Sequence, residues 1–429
     1  INLFVRSSDF TTDPDRAFDD LCTLIGEREL HSKIDYSKDL LWRLIVLQKV
    51  NENSLENEYE LHLLLHHSIS EGKNSHSILV QFVEKIERNF SSNHQIDEIE
   101  AVNHFVQQPV EDLYFNEFAD KDRVYELKPP IDIPSFIDSD KAKQSILRHF
   151  EFMKDPANLN VGIYSTDGSK HLTINDLVEY SKTNNIKIRR VVIDKEKSLK
   201  FIELCKKHGC KLTGGFNLLF SSTLNGLFKK YNYTSKAYKS NGEPDDSVDA
   251  NTNSFIFYNA VSLRQFHTTN KESFKMNYTD MGYNVNGLLS LLRLPKSFSS
   301  DEEFRETFWR LACEDSAQLH RRLADGEQFI PAKFNQFKPN QLLSFNRLSN
   351  LGAFPNRAFA DSEIKLIKVF SQIKVDSNHK KFALYFLFIS CIDNQICFSM
   401  VSNACFIQNE LLDEYFEIFF RNFDLILIE

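Results

Sequence analysis

Apolar and polar residues alternate with a two-residue period from Tyr59 to His67, so Tyr59, Leu61, Leu63, Leu65 and His67 share one strand face. Trp42 to Leu47 is also strand-like, and the polar stretch Asn51 to Asn57 between the two reads as a turn. After Gly72, residues Ile78, Leu79, Phe82 and Ile86 fall at helical spacing, which predicts a helix over 75–90 with Ser75 or Ser77 as its cap. Pro109, Pro129, Pro130 and Pro134 mark 91–140 as an irregular crossing segment. A second strand-then-helix unit begins at Ile186. Its strand carries Ile188, Val191 and Ile193, its helix runs from Ser198 to His208, and a further helix runs from Thr213 to about Lys230 after Gly209. Lys239 to Asn253 reads as a solvated loop, Ser254 to Arg264 as a strand, and Asp301 to Ala324 as a long helix. Near the end, Lys381–Cys391 and Ile396–Ser402 flank Asp393-Asn394-Gln395 as a hairpin, and Gln408 to Leu427 forms a closing amphipathic helix.

Strict strand–helix–strand alternation is absent, and no repeat appears, so the pattern predicts an α/β (α+β) architecture with mixed sheets. A division between about 150 and 185, drawn after residue 170, gives an N-terminal unit 1–170 and a C-terminal unit 171–429.

Charge removes one class of function. Lys plus Arg number 51 against 60 Asp plus Glu, a net −9, so the chain has no overall basic surface with which to neutralise nucleic-acid phosphates. The 38 Phe residues imply large apolar cores or a lined tunnel. Seven scattered cysteines without paired spacing read as reduced thiols of a cytoplasmic protein. No apolar run approaches the roughly 20 residues of a membrane span. The sequence opens at Ile1 inside what reads as folded chain, which suggests that a native start is missing.

The chemistry concentrates in His66-His67-Ser68-Ile69-Ser70-Glu71-Gly72, directly after one strand and before a helix. A rigid element that ends there holds a side chain with small positional error. Alternation sends His67 with Leu61, Leu63 and Leu65 toward an apolar interior, where a desolvated imidazole stays neutral and can act as a general base. Glu71 can orient the loop through an ion pair, and Gly72 permits its turn. The plainer reading is one core histidine beside one surface histidine. Adjacent histidines on a strand face opposite ways, so they make a poor metal site, and no better metal cluster stands in the sequence.

This segment resembles the HHxxxDG motif of the chloramphenicol acetyltransferase-like, CoA-dependent acyltransferase superfamily, which includes alcohol acetyltransferases and peptide-synthetase condensation domains. Other stretches are similar in order and spacing: Leu40-Leu41-Trp42-Arg43-Leu44 before the motif, the helix–break–helix around Leu204 to Leu219, Ala260-Val261-Ser262-Leu263-Arg264, and Ser349-Asn350-Leu351-Gly352, which looks like the S-N-L-G segment of alcohol acetyltransferases. Only the His-His motif is specific. The sequence departs from the family at Glu71, where the family carries Asp. It also shows no counterpart of the strand and helix that open the family's fold.

The resemblance implies two α/β lobes around a central cleft or tunnel. It also implies an acyltransferase in which His67 removes a proton from an alcohol or amine that attacks an acyl thioester. Glu71 would support the motif loop, and His66, Gly72 and Arg264 would be structural. Ser349 or Asn350 would contact the oxyanion or the acceptor, or else form a turn between strands. The cosubstrate would be acyl-CoA, with no permanently bound cofactor and no metal, and Lys206, Lys207, Lys229 and Lys230 are candidates to meet its phosphates. Two alternatives stand beside an O-acyltransferase. One is a condensation domain fed by phosphopantetheine on a carrier protein in trans. The other is a non-catalytic binding protein of the same fold, to which Glu71 points.

Overall fold

The computed structural model describes residues 14–31, 42–49, 58–66, 77–83, 161–165, 171–172, 186–237, 249–263, 285–329, 344–354, 366–373, 383–403 and 409–428, with position 75 and isolated positions between 140 and 147. Three sheets organise them. Strands β1 (Trp42–Lys49) and β2 (Glu58–Leu65) pair antiparallel as a two-stranded ribbon. Strands β3 (Val161–Ser165) and β4 (His171–Leu172) join β6 (Tyr233–Ala237) in a three-stranded sheet of order β4-β3-β6, which straddles the expected division after residue 170.

The large sheet has six strands. Besides β5 (Ile186–Val192) it contains β7 (Thr252–Ser262), β8 (Val285–Pro295), β9 (Ser344–Phe354), β10 (Ala383–Ile392) and β11 (Gln395–Asn403), in the order β5-β11-β10-β9-β7-β8. The sheet is mixed, as the sequence predicts: β9 runs parallel to both β7 and β10, and the remaining pairs are antiparallel. Asp393 and Asn394 take positive φ (46° and 65°) in the tight β10–β11 turn, a conformation that short polar side chains tolerate.

Five helices have full descriptions: α1 (Pro14–His31), α2 (Lys195–Lys207), α3 (Leu212–Lys230), α4 (Asp301–Ala324) and α5 (Asn409–Ile426). Asp194, rather than a residue near Ser198, caps α2, accepting from the Glu196 and Lys197 amides at 2.9 and 3.2 Å. Ser300 caps α4 through the Glu303 amide at 3.1 Å, while Glu303 reaches back to the Ser299 amide at 2.6 Å. The helix expected over 75–90 is described at 77–83. Helix α1 corrects the expectation that no helix stands ahead of the motif strand. Its apolar pattern is faint because the side it buries includes Cys22 and Glu29 beside Ile25.

The main core lies on one face of the large sheet. Tyr385, Leu387 and Ile389 of β10 and Ile396, Phe398 and Met400 of β11 point into it, and α3 crosses the same face, buried on nearly every side. Phe220 stacks on Phe419 at 5.4 Å between ring centres, and Phe398 meets Phe220 at 5.6 Å and Phe419 at 5.2 Å. Much of the aromatic content therefore serves packing. On the opposite face Ile188, Phe386 and Val401 form a smaller cluster with Leu30 of α1. The alternation of β10 and β11 between these two clusters is the two-residue period made visible.

Candidate functional site

Strand β2 ends at Leu65, and His66 follows at once, half-buried. His67, Glu71, Gly72 and Arg264 lie outside the described residues. What is described is the scaffold from which the motif emerges, and its chemistry differs from the expected one. Leu61, Leu63 and Leu65 are only half-buried and Tyr59 is 54% exposed, so this face is not a closed apolar interior. The ribbon instead turns its polar face, Glu60 and His62, toward the large sheet.

There Glu60 meets Arg190 of β5 through two parallel hydrogen bonds, Nη1 to Oε1 at 2.7 Å and Nη2 to Oε2 at 2.8 Å. The guanidinium also lies 4.2 Å from the Phe370 ring centre. His62 Nε2 stands 3.0 Å from Glu60 Oε1, an ion-pair distance without hydrogen-bond alignment. Burial opposes ionisation of Glu60, but the imidazole and guanidinium beside it outweigh burial and bring its carboxyl down to about 2. Cys22 of α1 completes the group. Burial, with the Glu60 carboxylate beside it, pushes its thiol far up, so it remains a protonated, inert packing residue.

Cys22, Glu60 and His62 bring ligand atoms within 4.8 Å of one another, the one such trio among the described residues. Their donor types suit zinc, yet both Glu60 oxygens already accept from the Arg190 guanidinium, which a cation there would have to displace or tolerate. The trio is a salt-bridge hub.

Helix α1 ties the same elements together. Glu27 accepts the amide of Ile188 at 2.9 Å, satisfying a donor on the outer strand of the sheet, and Glu29 ion-pairs with Arg43 of β1. Charged contacts thus tie the ribbon that leads to His66 to β5 and α1. Sequence pattern missed this hub because Glu60, His62 and Arg190 each look like exposed positions on alternating strands.

Ser349 and Asn350 lie within β9, not in a turn between strands. Along the β9–β10 ladder Asn350 pairs with Ile389 and Gly352 with Ser390, leaving Leu351 as an extra residue. Gly352 adopts φ +83°, and Asn350 Oδ1 accepts its amide at 3.0 Å while Asn350 Nδ2 donates to Thr213 Oγ1 of α3 at 3.1 Å. The S-N-L-G segment therefore spells a bulge pinned to the start of α3. Ser349 is half-buried beside it.

A second polar group is buried between α3, α4 and β8. Asn217 Nδ2 donates to Asp315 Oδ2 at 2.8 Å, and burial raises the Asp315 carboxyl despite Asn217, Ser290 and Arg322 around it. Arg322 in turn bonds Glu327 at 2.6 Å and the Leu289 carbonyl. The lysines considered for phosphate contact close α2 and α3, where cations complement the helix C-termini, and Lys230 is paired with Glu414 at 2.9 Å.

No family model and no curated protein matches the sequence. Solved structures do match. The epimerization domain from the third module of tyrocidine synthetase B aligns over 95% of this chain and 76% of its own, at 10% identity and TM-score 0.51. The condensation domain of the monacolin K polyketide synthase aligns over 95% and 77%, at 9% identity and TM-score 0.53. Polyketide synthase associated protein 5 from Mycobacterium tuberculosis aligns over 93% and 78%, at 12% identity and TM-score 0.51. Identities this low speak for fold alone. The chain shares the mixed-sheet α/β fold of these condensation and epimerization domains. No helix among the described residues is long and apolar enough to cross a membrane.

Proposed function

We propose that this protein is an acyltransferase that moves an acyl group from acyl-CoA to an alcohol, with His67 as general base. The observation that supports the reading is that His66 follows directly on β2, with His67 next in the sequence, in a fold shared with condensation domains. His66, half-buried directly after β2, is assigned a structural role. His67, the next residue in the sequence, is assigned to the substrates. It takes the proton of the acceptor hydroxyl, the alkoxide attacks the thioester carbonyl, and CoA leaves as the thiol. Glu71 supports the loop, with Gly72 giving it the turn, and Arg264 is assigned a structural role. Asn350 is committed to the bulge, so Ser349 is the member of the pair assigned to the oxyanion or acceptor.

In this reading 1–170 is the lobe bearing the base, 171–429 is its partner, and the substrates meet between them. The free thiols among the described cysteines fit a cytoplasmic setting. A second reading, favoured by the likeness to condensation domains, has phosphopantetheine on a carrier protein as donor and an amine as acceptor. The purified protein, given a panel of acyl-CoAs with alcohol and amine acceptors, should release free thiol in the presence of an alcohol. Turnover only with acyl-pantetheine on a carrier protein would favour the second reading. Turnover with neither would leave a binding protein.

A further inference from the structure

Cys22 of α1 and Glu60 and His62 of β2 bring a sulfur, a carboxylate oxygen and a ring nitrogen within 4.8 Å of one another. Glu60 and His62 stand two residues apart on one strand, so both project to the side of the ribbon where Cys22 lies. Cys22 is fully buried, and the Glu60 and His62 side chains are only 21% and 13% exposed.

One contact inside the group is unfinished. His62 Nε2 stands 3.0 Å from Glu60 Oε1, yet this buried nitrogen has no hydrogen-bond partner among the described residues. As an N–H it is misaligned with the oxygen, and as a bare nitrogen it sets lone pair against lone pair. Either tautomer leaves it unsatisfied. A cation between the two atoms removes the conflict, because both then act as electron-pair donors. Tetrahedral zinc, with bonds of roughly 2.0–2.2 Å to nitrogen and oxygen, holds such ligand atoms roughly 3.3 Å apart, close to the spacing already present.

Arg190 leaves room for this. A carboxylate offers about four lone-pair sites, and the guanidinium uses one on each oxygen, at 2.7 and 2.8 Å. Glu60 can therefore keep the arginine and still bind an ion through Oε1. The charges fit as well. A Cys22 thiolate and the Glu60 carboxylate cancel a divalent ion. The Asp19 carboxylate, three residues before Cys22 on α1, acts on Arg190 and bridges Lys368 at 3.6 Å. Sulfur and imidazole beside one carboxylate select zinc over calcium or magnesium, which take oxygen ligands.

We propose that Cys22, Glu60 and His62 bind one Zn²⁺ ion, with a solvent molecule as fourth ligand and Arg190 still hydrogen-bonded to Glu60. On binding, a Zn–S bond forms, the Cys22 S–H bond breaks and its proton leaves to solvent, with no change of oxidation state. Without metal the trio is a salt-bridge hub. With it, the ion clasps α1 to the ribbon that leads to His66. The site is independent of the proposed acyl transfer.

The test uses the full chain, reduced and stripped with EDTA, titrated with Co²⁺ as a spectroscopic stand-in and then with Zn²⁺. One equivalent of Co²⁺ should give a thiolate-to-cobalt charge-transfer band in the near ultraviolet and tetrahedral d–d bands in the visible, and Zn²⁺ should bleach both. Zn²⁺ should also raise the melting temperature, increasingly with its concentration. Cys22→Ser, a nearly isosteric change, should lose the charge-transfer band. His62→Gln should weaken Co²⁺ binding at least roughly tenfold, the least that loss of an outer partner costs. Should either variant fail to fold, hydrogen exchange of the unsubstituted protein decides: Zn²⁺ should slow exchange in 14–31 and 58–65. Absence of the charge-transfer band in the unsubstituted protein, its persistence in Cys22→Ser, or slowed exchange only around Cys205, Cys210 and Cys313 would overturn the proposal.

Discussion

Arg190 of β5 and Glu60 of β2 face each other across two sheets, joined by paired hydrogen bonds of 2.7 and 2.8 Å with the arginine side chain only 9% exposed. This contact ties the ribbon that leads to His66 to the six-stranded sheet. Removing one partner of a buried pair strands the other charge, so Glu60→Gln and Arg190→Met should each cost about 3–5 kcal/mol in denaturant unfolding, and the double variant should cost less than the two together.

The pair also sets a pH dependence. Glu60 has a folded value of about 2 against 4.5 when unconstrained, so the unfolded chain binds the extra proton between those limits. The stabilisation is complete above 4.5 and is lost as pH falls toward 2. Stability measured from pH 7 to pH 3 should therefore fall more steeply for the natural protein than for Glu60→Gln, and the two curves should converge in acid. Parallel curves would mean that the bridge contributes nothing.

The bulge in β9 offers a cleaner test of local structure. A Cβ on Gly352 would meet nothing within 4 Å, so any cost of Gly352→Ala comes from its φ of +83° alone. That cost should be about 1–2 kcal/mol. Asn350→Ala, which frees both the Gly352 amide and Thr213 Oγ1, should cost about 1–3 kcal/mol, the range for an abandoned buried hydrogen bond.

Asp315 behaves in the opposite sense to Glu60. Its carboxyl is raised by burial, so the folded protein binds the extra proton and this residue's contribution weakens as pH rises above the ordinary aspartate range. Asp315→Asn keeps an acceptor for Asn217 without the charge. Its melting temperature relative to the natural protein should rise with pH across that range, and a constant difference would show that the carboxyl does not titrate there.

The elements legible in the sequence were those whose apolar period was undisturbed. The Asp301–Ala324 helix, the β10–β11 hairpin and the closing helix α5 all have a clear apolar face and a cap or turn at the end. Strand β8, Val285–Pro295, was missed: its Leu-rich run is buried over much of its length, and a continuous apolar run carries no period to read. Helix α1 was missed because its buried side mixes Cys22 and Glu29 with Ile25, and charged groups share with Leu30 the task of tying it to β5 and β1. For the candidate site, strand β2 could be read from its alternation, whereas the hub could not. Glu60 and Arg190 are 130 residues apart, and only the fold makes them neighbours. The role of Ser349-Asn350-Leu351-Gly352 was also hidden, since a bulge exists only relative to a partner strand.

Glu71 distinguishes an active motif from a retained shell. If its carboxylate anchors the loop, Glu71→Asp should preserve or raise thioester turnover, whereas Glu71→Gln should lower both turnover and melting temperature. Equal behaviour of the two variants would favour the non-catalytic reading.

The central claim is that His67, not His66, is the base. Its most direct test is thioester turnover and thermal unfolding measured side by side for His67→Ala and His66→Ala. A positioned general base is worth roughly 10²–10⁴ in rate, so His67→Ala should lose that factor while melting near the natural temperature. His66→Ala should chiefly lower the melting temperature, because its ring is half-buried directly after β2. Small and equal losses of turnover in the two variants would contradict the assignment and leave a pair of packing histidines.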